Sequence, residues 1–262
     1  MFARITPIVR NLLIINIAAL LIDQFMRIDL ANLLGLRYVM ADTFAPYQFF
    51  TYMFVHGGGW HLFSNMFALF IFGPLLEQLW GPRRFLAFYL VTGIGAGILY
   101  SGINFYETRS VEKAAEVYIE NPDPERFNSF ILKHAEYTFN RLSPFIDSYA
   151  EDPENPGRIA ESREIVRQLA YNKANIPMVG ASGAIFGILM AFGLLFPNTT
   201  LMLLFPPIPI KAKYFVGFYG LFELYAGINR APGDNVAHFA HLAGMLVAWL
   251  LIKYWQKKGF RY

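Results

Sequence analysis

Long apolar segments separated by short polar connections make up most of this chain. Six of them approach the roughly 20 apolar residues that an α-helix needs to cross a bilayer. These segments lie near residues 7–26, 60–80, 84–105, 177–196, 213–228 and 236–255. The pattern therefore predicts an all-α, polytopic membrane protein with a bundle of six transmembrane helices.

The one long polar stretch lies between the third and fourth segments. Residues 103–176 contain Asn-Pro and Asp-Pro breaks, which separate helix-like runs near 110–120, 125–141 and 158–172. We expect residues 1–262 to form a single membrane domain in which this stretch is an extracytoplasmic helical insertion.

The composition agrees with a membrane protein. Hydrophobic residues make up 55% of the chain and charged residues 16%, well below the roughly 25% typical of soluble domains. The absence of cysteine excludes disulfides, a catalytic thiol and thiolate metal sites. The net charge of +3 is spread over the flanks of the spans, so no nucleic-acid partner is predicted.

Basic side chains at the ends of the spans predict the orientation. Such residues are Arg4, Arg10, Arg83, Arg84, Lys211, Lys213, Lys257, Lys258 and Arg261. All of them fall on one side when six spans alternate, and short loops rich in Lys and Arg face the cytoplasm. Both termini should therefore be cytoplasmic.

A candidate nucleophile stands at the start of the fourth span. A proline predicts that this helix begins near residues 177–180, which places Ser182 in its first turn. Unpaired backbone N–H groups and the helix dipole favour a negatively charged oxygen there. Gly183 and Gly187 are four residues apart and would let a second helix approach closely. The alternative is a helix-capping serine on a packing face.

Polar side chains inside apolar spans are costly, so each is a candidate functional group. His61 and Asn65 lie four residues apart on one face of the second span and could donate to a developing oxyanion. His241, in the sixth span, is the candidate general base for Ser182. Small residues that follow it complement the glycines of the fourth span and would bring the two helices together.

No acidic residue is clearly placed as a third catalytic member, so the sequence predicts a Ser–His dyad rather than a triad. Glu223, in the fifth span, has no role in this scheme. A metal site is the alternative use of the histidines. The chain has no HExxH motif, and the spacings of five residues (His56 to His61) and three residues (His238 to His241) are not diagnostic of a metal. We therefore expect no metal and no cofactor.

Together, in this order and on these spans, the motifs resemble those of rhomboid intramembrane serine proteases. They are the His-x4-His-x3-Asn pattern of His56, His61 and Asn65, the Gly-x-Ser-Gly of residues 180–183 and the Ala-His-x-Ala-Gly of residues 240–244. The resemblance implies a six-helix, rhomboid-like bundle of the bacterial type. The insertion at 103–176 replaces a loop that is usually short in this family.

The resemblance also implies the roles of the site residues. Ser182 would be the nucleophile and His241 its general base, while His61, Asn65 and the backbone N–H of Ser182 would line the oxyanion hole. Supporting residues would be His56, Gly180, Gly183, Phe186 and Gly244. Glu77 matches a glutamate that is structural in the family.

The implied activity is that of a serine endopeptidase that cleaves transmembrane segments of other membrane proteins. Its partners would be those substrates and the lipid bilayer. The expected location is the plasma membrane of a bacterium, with the active site open to the outside. The alternative is a catalytically inactive rhomboid-like protein that binds or delivers membrane clients. A transporter is disfavoured because no internal repeat is evident.

Overall fold

Helices form nearly all of the regular structure in the computed structural model, which describes residues 5–203, 206–229, 231, 234 and 236–259. The α-helices are α1 (Pro7–Met26), α2 (Leu30–Leu34), α3 (Gln48–Thr51), α4 (Gly59–Trp80), α5 (Pro82–Glu120), α6 (Pro124–His134), α7 (Phe139–Glu151), α8 (Pro156–Asn175), α9 (Ser182–Leu195), α10 (Ala212–Ile228) and α11 (His238–Lys257). Short 3-10 turns cover Tyr52–Phe54 and Glu136–Thr138. Strands β1 (Thr200–Met202) and β2 (Pro209–Lys211) pair antiparallel, with Leu201 opposite Ile210.

The predicted six spans correspond to α1, α4, α5, α9, α10 and α11. Among the described residues, α1, α4 and α5 are long and apolar enough to cross a bilayer by length and composition. With 14 residues, α9 is only about 21 Å long, which is less than the roughly 30 Å of a hydrocarbon core. It contacts α4, α5, α10 and α11, so this short helix is the centre of the bundle. The chain is an all-α polytopic membrane protein.

Two glycines of α9 let neighbouring helices approach it closely. A β-carbon on Gly244 of α11 would overlap the carbonyl oxygen of Gly183, so the two helices touch through their backbones. Gly187 faces α5 instead, where an added β-carbon would lie 2.8 Å from the β-carbon of Thr92. The prediction that both glycines of α9 face the sixth span is therefore right for Gly183 and wrong for Gly187. Residues four apart point in similar but not identical directions from a helix. Gly183 therefore contacts α11, whereas Gly187 contacts α5.

A buried carboxylate joins α4 to α1. The two oxygens of Glu77 accept hydrogen bonds from the backbone N–H groups of Ile8 and Val9, at 3.0 and 2.9 Å. These N–H groups belong to the first turn of α1, where they have no partner within the helix. Glu77 therefore caps α1 and ties the first span to the second.

The inserted segment has a hydrophobic core of its own. With 39 residues, α5 is about 58 Å long and continues well past the length of a membrane span. Its C-terminal part packs with α6, α7 and α8 around the buried residues Val111, Ala115, Tyr118, Phe127, Phe130, Ile131, Ile146, Tyr149 and Val166. The hydroxyl groups of Tyr118 and Ser162 lie 2.6 Å apart and join α5 to α8.

The helices of the insertion differ from the predicted ones in one place. The run predicted at 125–141 is divided, because α6 ends at His134 and α7 begins at Phe139. Between them the hydroxyl of Thr138 donates to the carbonyl of Ala135 at 2.7 Å, a local bond that competes with a continuous helix. The predicted helices near 110–120 and 158–172 lie within α5 and α8.

The Gly183–Gly244 contact makes a prediction about stability. Gly244→Ala should lower the free energy of unfolding by about 1–3 kcal/mol, because the added methyl group must push α11 away from α9. Gly217→Ala in α10 is the matched control, since a β-carbon at that position would meet nothing within 4 Å. Thermal unfolding of the detergent-purified variants would measure the effect. Equal melting temperatures for the two variants would contradict the described packing.

Candidate active site

Backbone hydrogen bonds hold the segment that leads into α9. Leu36 and Met178 exchange two backbone hydrogen bonds of 2.8 Å, and the N–H of Gly180 donates to the carbonyl of Tyr52 at 2.9 Å. Gly180 has a φ of +125°, a conformation that side chains disfavour. As a result α9 begins at Ser182, slightly later than the predicted 177–180, and Ser182 is its first residue.

Ser182 and His241 form a hydrogen-bonded pair. The Nε2 atom of His241 lies 2.9 Å from the Oγ of Ser182, within the reach that a general base needs. The ring of Phe186, one turn after Ser182, stacks on the imidazole with a centroid distance of 4.2 Å and an interplanar angle of 7°. Stacking and the Gly183–Gly244 contact together fix the position of the imidazole.

An acidic residue contacts the other side of this imidazole. The Oε2 atom of Glu223, in α10, lies 2.7 Å from Nδ1 of His241. The prediction of a dyad without an acidic partner is therefore wrong, because an acidic side chain contacts the imidazole of His241. Sequence reasoning missed the contact because Glu223 and His241 lie on different helices and share no motif. The available signal was a single glutamate within an apolar span.

The carboxylate of Glu223 has a second histidine partner. Nδ1 of His238 also lies 2.7 Å from Oε2, and Nε2 of His238 lies 2.9 Å from the Oδ2 of Asp234. Glu223, His238 and His241 are all at least 90% buried, with 3%, 4% and 8% of their surface exposed. Ser182, His241, Glu223, His238 and Asp234 thus form one continuous chain of polar contacts.

His61 is oriented as a hydrogen-bond donor beside Ser182. Its Nδ1 accepts from the backbone N–H of Gly57 at 3.4 Å, so a neutral ring carries its proton on Nε2. A β-carbon at Gly180 would lie 2.7 Å from Nε2 of His61 and 3.7 Å from Oγ of Ser182. The missing side chain at Gly180 therefore leaves open the space between the candidate donor and the candidate nucleophile.

Asn65 and His56 both contact His61. The side-chain amide of Asn65 donates to the carbonyl of His61 at 2.8 Å and has a second N–H available. The Nε2 atom of His56 accepts from the backbone N–H of Ala181 at 3.5 Å, and its ring centroid is 5.1 Å from that of His61. The structure thus gathers the predicted site residues around the N-terminus of α9.

Three side chains of the site could in principle hold a metal ion. One potential ligand atom from each of Glu223, His238 and His241 lies within 4.8 Å of the other two. Each Nδ1 is 2.7 Å from the same carboxylate oxygen, however, which is a hydrogen-bond distance. Two ligands of a tetrahedral zinc ion, each about 2.0–2.1 Å from the metal, would be about 3.3 Å apart. The spacing fits shared protons better than a shared metal.

A cleft between the insertion and the bundle opens beside the site. Its volume is about 720 Å³, and the insertion contributes Lys133, Ala135 and Tyr137 to its wall. Met178, four residues before Ser182, and Ala237, directly before α11, also line this cleft. The insertion therefore borders the two segments that carry Ser182 and His241.

Comparisons with known proteins show the family of this chain. The sequence model of the Rhomboid domain matches residues 43–111 and 163–257, well over half of the chain, and the gap between them falls within the insertion. Rhomboid-like protein 11, chloroplastic, of Arabidopsis thaliana is 36% identical over 90 residues, which are 34% of this chain and 30% of that protein. Rhomboid protease AarA of Providencia stuartii is 38% identical over 55 residues, 21% of this chain and 20% of that protein. With its fold and the extent of the domain match, this chain belongs to the rhomboid family.

Proposed function

We propose that this protein is an intramembrane serine endopeptidase that cleaves transmembrane segments of other membrane proteins. One observation carries the proposal: Ser182, His241 and Glu223 are joined in line, Oγ to Nε2 at 2.9 Å and Nδ1 to Oε2 at 2.7 Å. A nucleophile, a base and a group that orients the base are the three components of acyl transfer by a serine enzyme.

The proton follows the hydrogen bonds of the site. As Oγ of Ser182 attacks the scissile carbonyl, its proton passes to Nε2 of His241, which later gives it to the departing amine. Water then hydrolyses the acyl-enzyme with His241 again acting as base. Nε2–H of His61, the free amide N–H of Asn65 and the backbone N–H of Ser182 are the donors available to the oxyanion.

A transmembrane substrate must unwind locally at the cut. The carbonyl groups of a helix are hydrogen-bonded within the helix, and lipid offers no replacement for those bonds. The polar rim around Ser182, formed by exposed Gly57 and half-buried His61, supplies such a replacement together with water. A helix as short as α9 leaves room for this rim inside a bundle that otherwise faces lipid.

A catalytically inactive rhomboid-like protein that binds or delivers membrane clients is the competing function. Such a protein needs a surface that binds its clients but no nucleophile aligned with a base. The hydrogen bond between Ser182 and His241, with Phe186 stacked on the base, therefore favours the endopeptidase. Of the two relatives, one carries the name rhomboid protease and the other the name rhomboid-like protein.

We place the insertion of residues 103–176 on the extracytoplasmic side of a single membrane domain, with cytoplasmic termini and in a bacterial plasma membrane. This orientation rests on the basic residues at the ends of the spans. The active site then opens to the outside, next to the cleft. Because the insertion borders the segments before Ser182 and His241, we assign it the selection of substrates.

The catalytic assignment predicts the loss of cleavage in two variants. Ser182→Ala and His241→Ala should each lower the cleavage rate of a fluorescent transmembrane peptide by at least about 10³-fold, because either change breaks the proton path. Ser64→Ala is the control, since among the described residues this exposed hydroxyl donates to a carbonyl of its own helix and to no other group. Full activity of Ser182→Ala would refute the assignment, and an inactive wild-type protein would favour the client-binding alternative.

Deletion of most of the insertion should change substrate selectivity while the active site remains intact. Nζ of Lys173 lies 3.1 Å from a carboxylate oxygen of Glu107, so a short linker can join these residues after deletion of 108–172. The deletion variant should cleave a panel of transmembrane peptides with altered relative rates, while a fluorophosphonate still reacts with its serine. Unchanged relative rates across the panel would contradict a role in selection.

A further inference from the structure

A buried glutamate in an apolar span needs a physical explanation. Ionised carboxylates are costly to bury unless charge and hydrogen bonds compensate them. Glu223 is 3% exposed, and its Oε2 atom is shared by Nδ1 of His241 and Nδ1 of His238. Both contacts are 2.7 Å long, as expected for bonds that involve a charged partner.

We propose that Glu223, His238 and Asp234 form a positioning relay that orients His241 and compensates its charge during catalysis. The inference rests on the proposed endopeptidase function and extends it, because it gives this rhomboid an acid-assisted base. Glu223 contacts His241 on the side away from Ser182 and so acts through the base.

The relay first selects the tautomer of His241. A carboxylate oxygen only accepts hydrogen bonds, so Nδ1 of His241 must carry the proton. Nε2 is then left with its lone pair, directed at the hydroxyl of Ser182. Without the carboxylate, an imidazole of this kind populates the opposite tautomer, which cannot take a proton from serine.

His238 and Asp234 explain how the carboxylate stays ionised. Both ring nitrogens of His238 face carboxylate oxygens, one of Glu223 and one of Asp234. A ring that donates to both is an imidazolium, whose positive charge offsets the buried negative charge. Asp234 is itself oriented, because its Oδ1 accepts the backbone N–H of Val236 at 2.9 Å.

The charges of the relay then match the needs of the reaction. In the resting state, two carboxylates and one imidazolium leave one net negative charge beside neutral His241. When His241 takes the proton of Ser182, the group becomes neutral overall. The relay therefore favours the imidazolium that forms as the serine attacks.

Substitution of the acid tests the relay directly. Glu223→Gln should lower kcat for a transmembrane peptide at pH 7 by about 10²- to 10⁴-fold with little change in KM, because substrate contacts remain while the tautomer is lost. Glu77→Gln is the matched control: another buried carboxylate, it should lower the melting temperature without lowering kcat.

A pair of His238 variants tests the relay while leaving Glu223 in place. An asparagine amide nitrogen can occupy the position of Nδ1, and a glutamine amide nitrogen that of Nε2. His238→Asn should therefore keep the donor to Glu223 and retain about tenfold more activity than His238→Gln, which keeps only the contact with Asp234. Equal activities, or the reverse order, would contradict the relay.

The outcomes separate the relay from the proposed function. A wild-type protein that neither cleaves the peptide nor reacts with a fluorophosphonate defeats both. A cleaving wild type whose Glu223→Gln variant keeps kcat within about threefold defeats the relay alone. If Glu223→Gln does not fold, the order of the two His238 variants decides. Loss of wild-type activity in EDTA, restored by zinc, would overturn the relay in favour of a metal site.

Discussion

The backbone contact between α9 and α11 at Gly183 and Gly244 determines which side chains of the candidate active site can meet. A side chain on Gly244 would overlap the carbonyl of Gly183, so the two helices touch as closely as their backbones permit. His241 stands one turn before Gly244, and Ser182 directly precedes Gly183. The approach of the helices therefore brings the imidazole to the hydroxyl, and Phe186 fixes the plane of the ring. In lipid, where apolar side chains gain little by leaving their surroundings, small residues make such close contact possible.

The site also reconciles polar chemistry with an apolar bundle. Several of its polar groups are hydrogen-bonded to one another or to the backbone: Glu223 accepts from two histidines, His61 accepts from Gly57, and Asn65 donates to the backbone of α4. This arrangement avoids the large cost of unpaired polar groups in a medium of low dielectric. Farther from the site, the buried carboxylate of Glu77 is also hydrogen-bonded, to the first turn of α1. This contact joins α1 to α4 and takes no part in the candidate active site.

Much of this arrangement could be predicted from local patterns. The six apolar segments, the position of Ser182 in the first turn of α9 and the proximity of His241 follow from residue spacing and from small residues on facing helices. Contacts that depend on the rotation of one helix against another could not be predicted. The sequence assigns Glu223 no role, because nothing in the sequence of α10 shows which neighbour its carboxylate contacts. Gly187 likewise was expected to face the sixth span and instead packs on Thr92 of α5. In the insertion, the end of α6 at His134 escaped prediction because the break uses a single threonine hydroxyl rather than proline or glycine.

The central claim is that the hydroxyl at the start of α9 is the activated nucleophile of a membrane-embedded hydrolase. The most direct measurement is to treat the detergent-purified protein with a fluorophosphonate and to locate the adduct by mass spectrometry. The account predicts that Ser182 is the one residue modified. Protein that is denatured by heat before the treatment should carry no adduct, because only the folded site activates the hydroxyl. An adduct on any other residue would contradict it, as would cleavage of a transmembrane peptide that continues after Ser182 is fully modified.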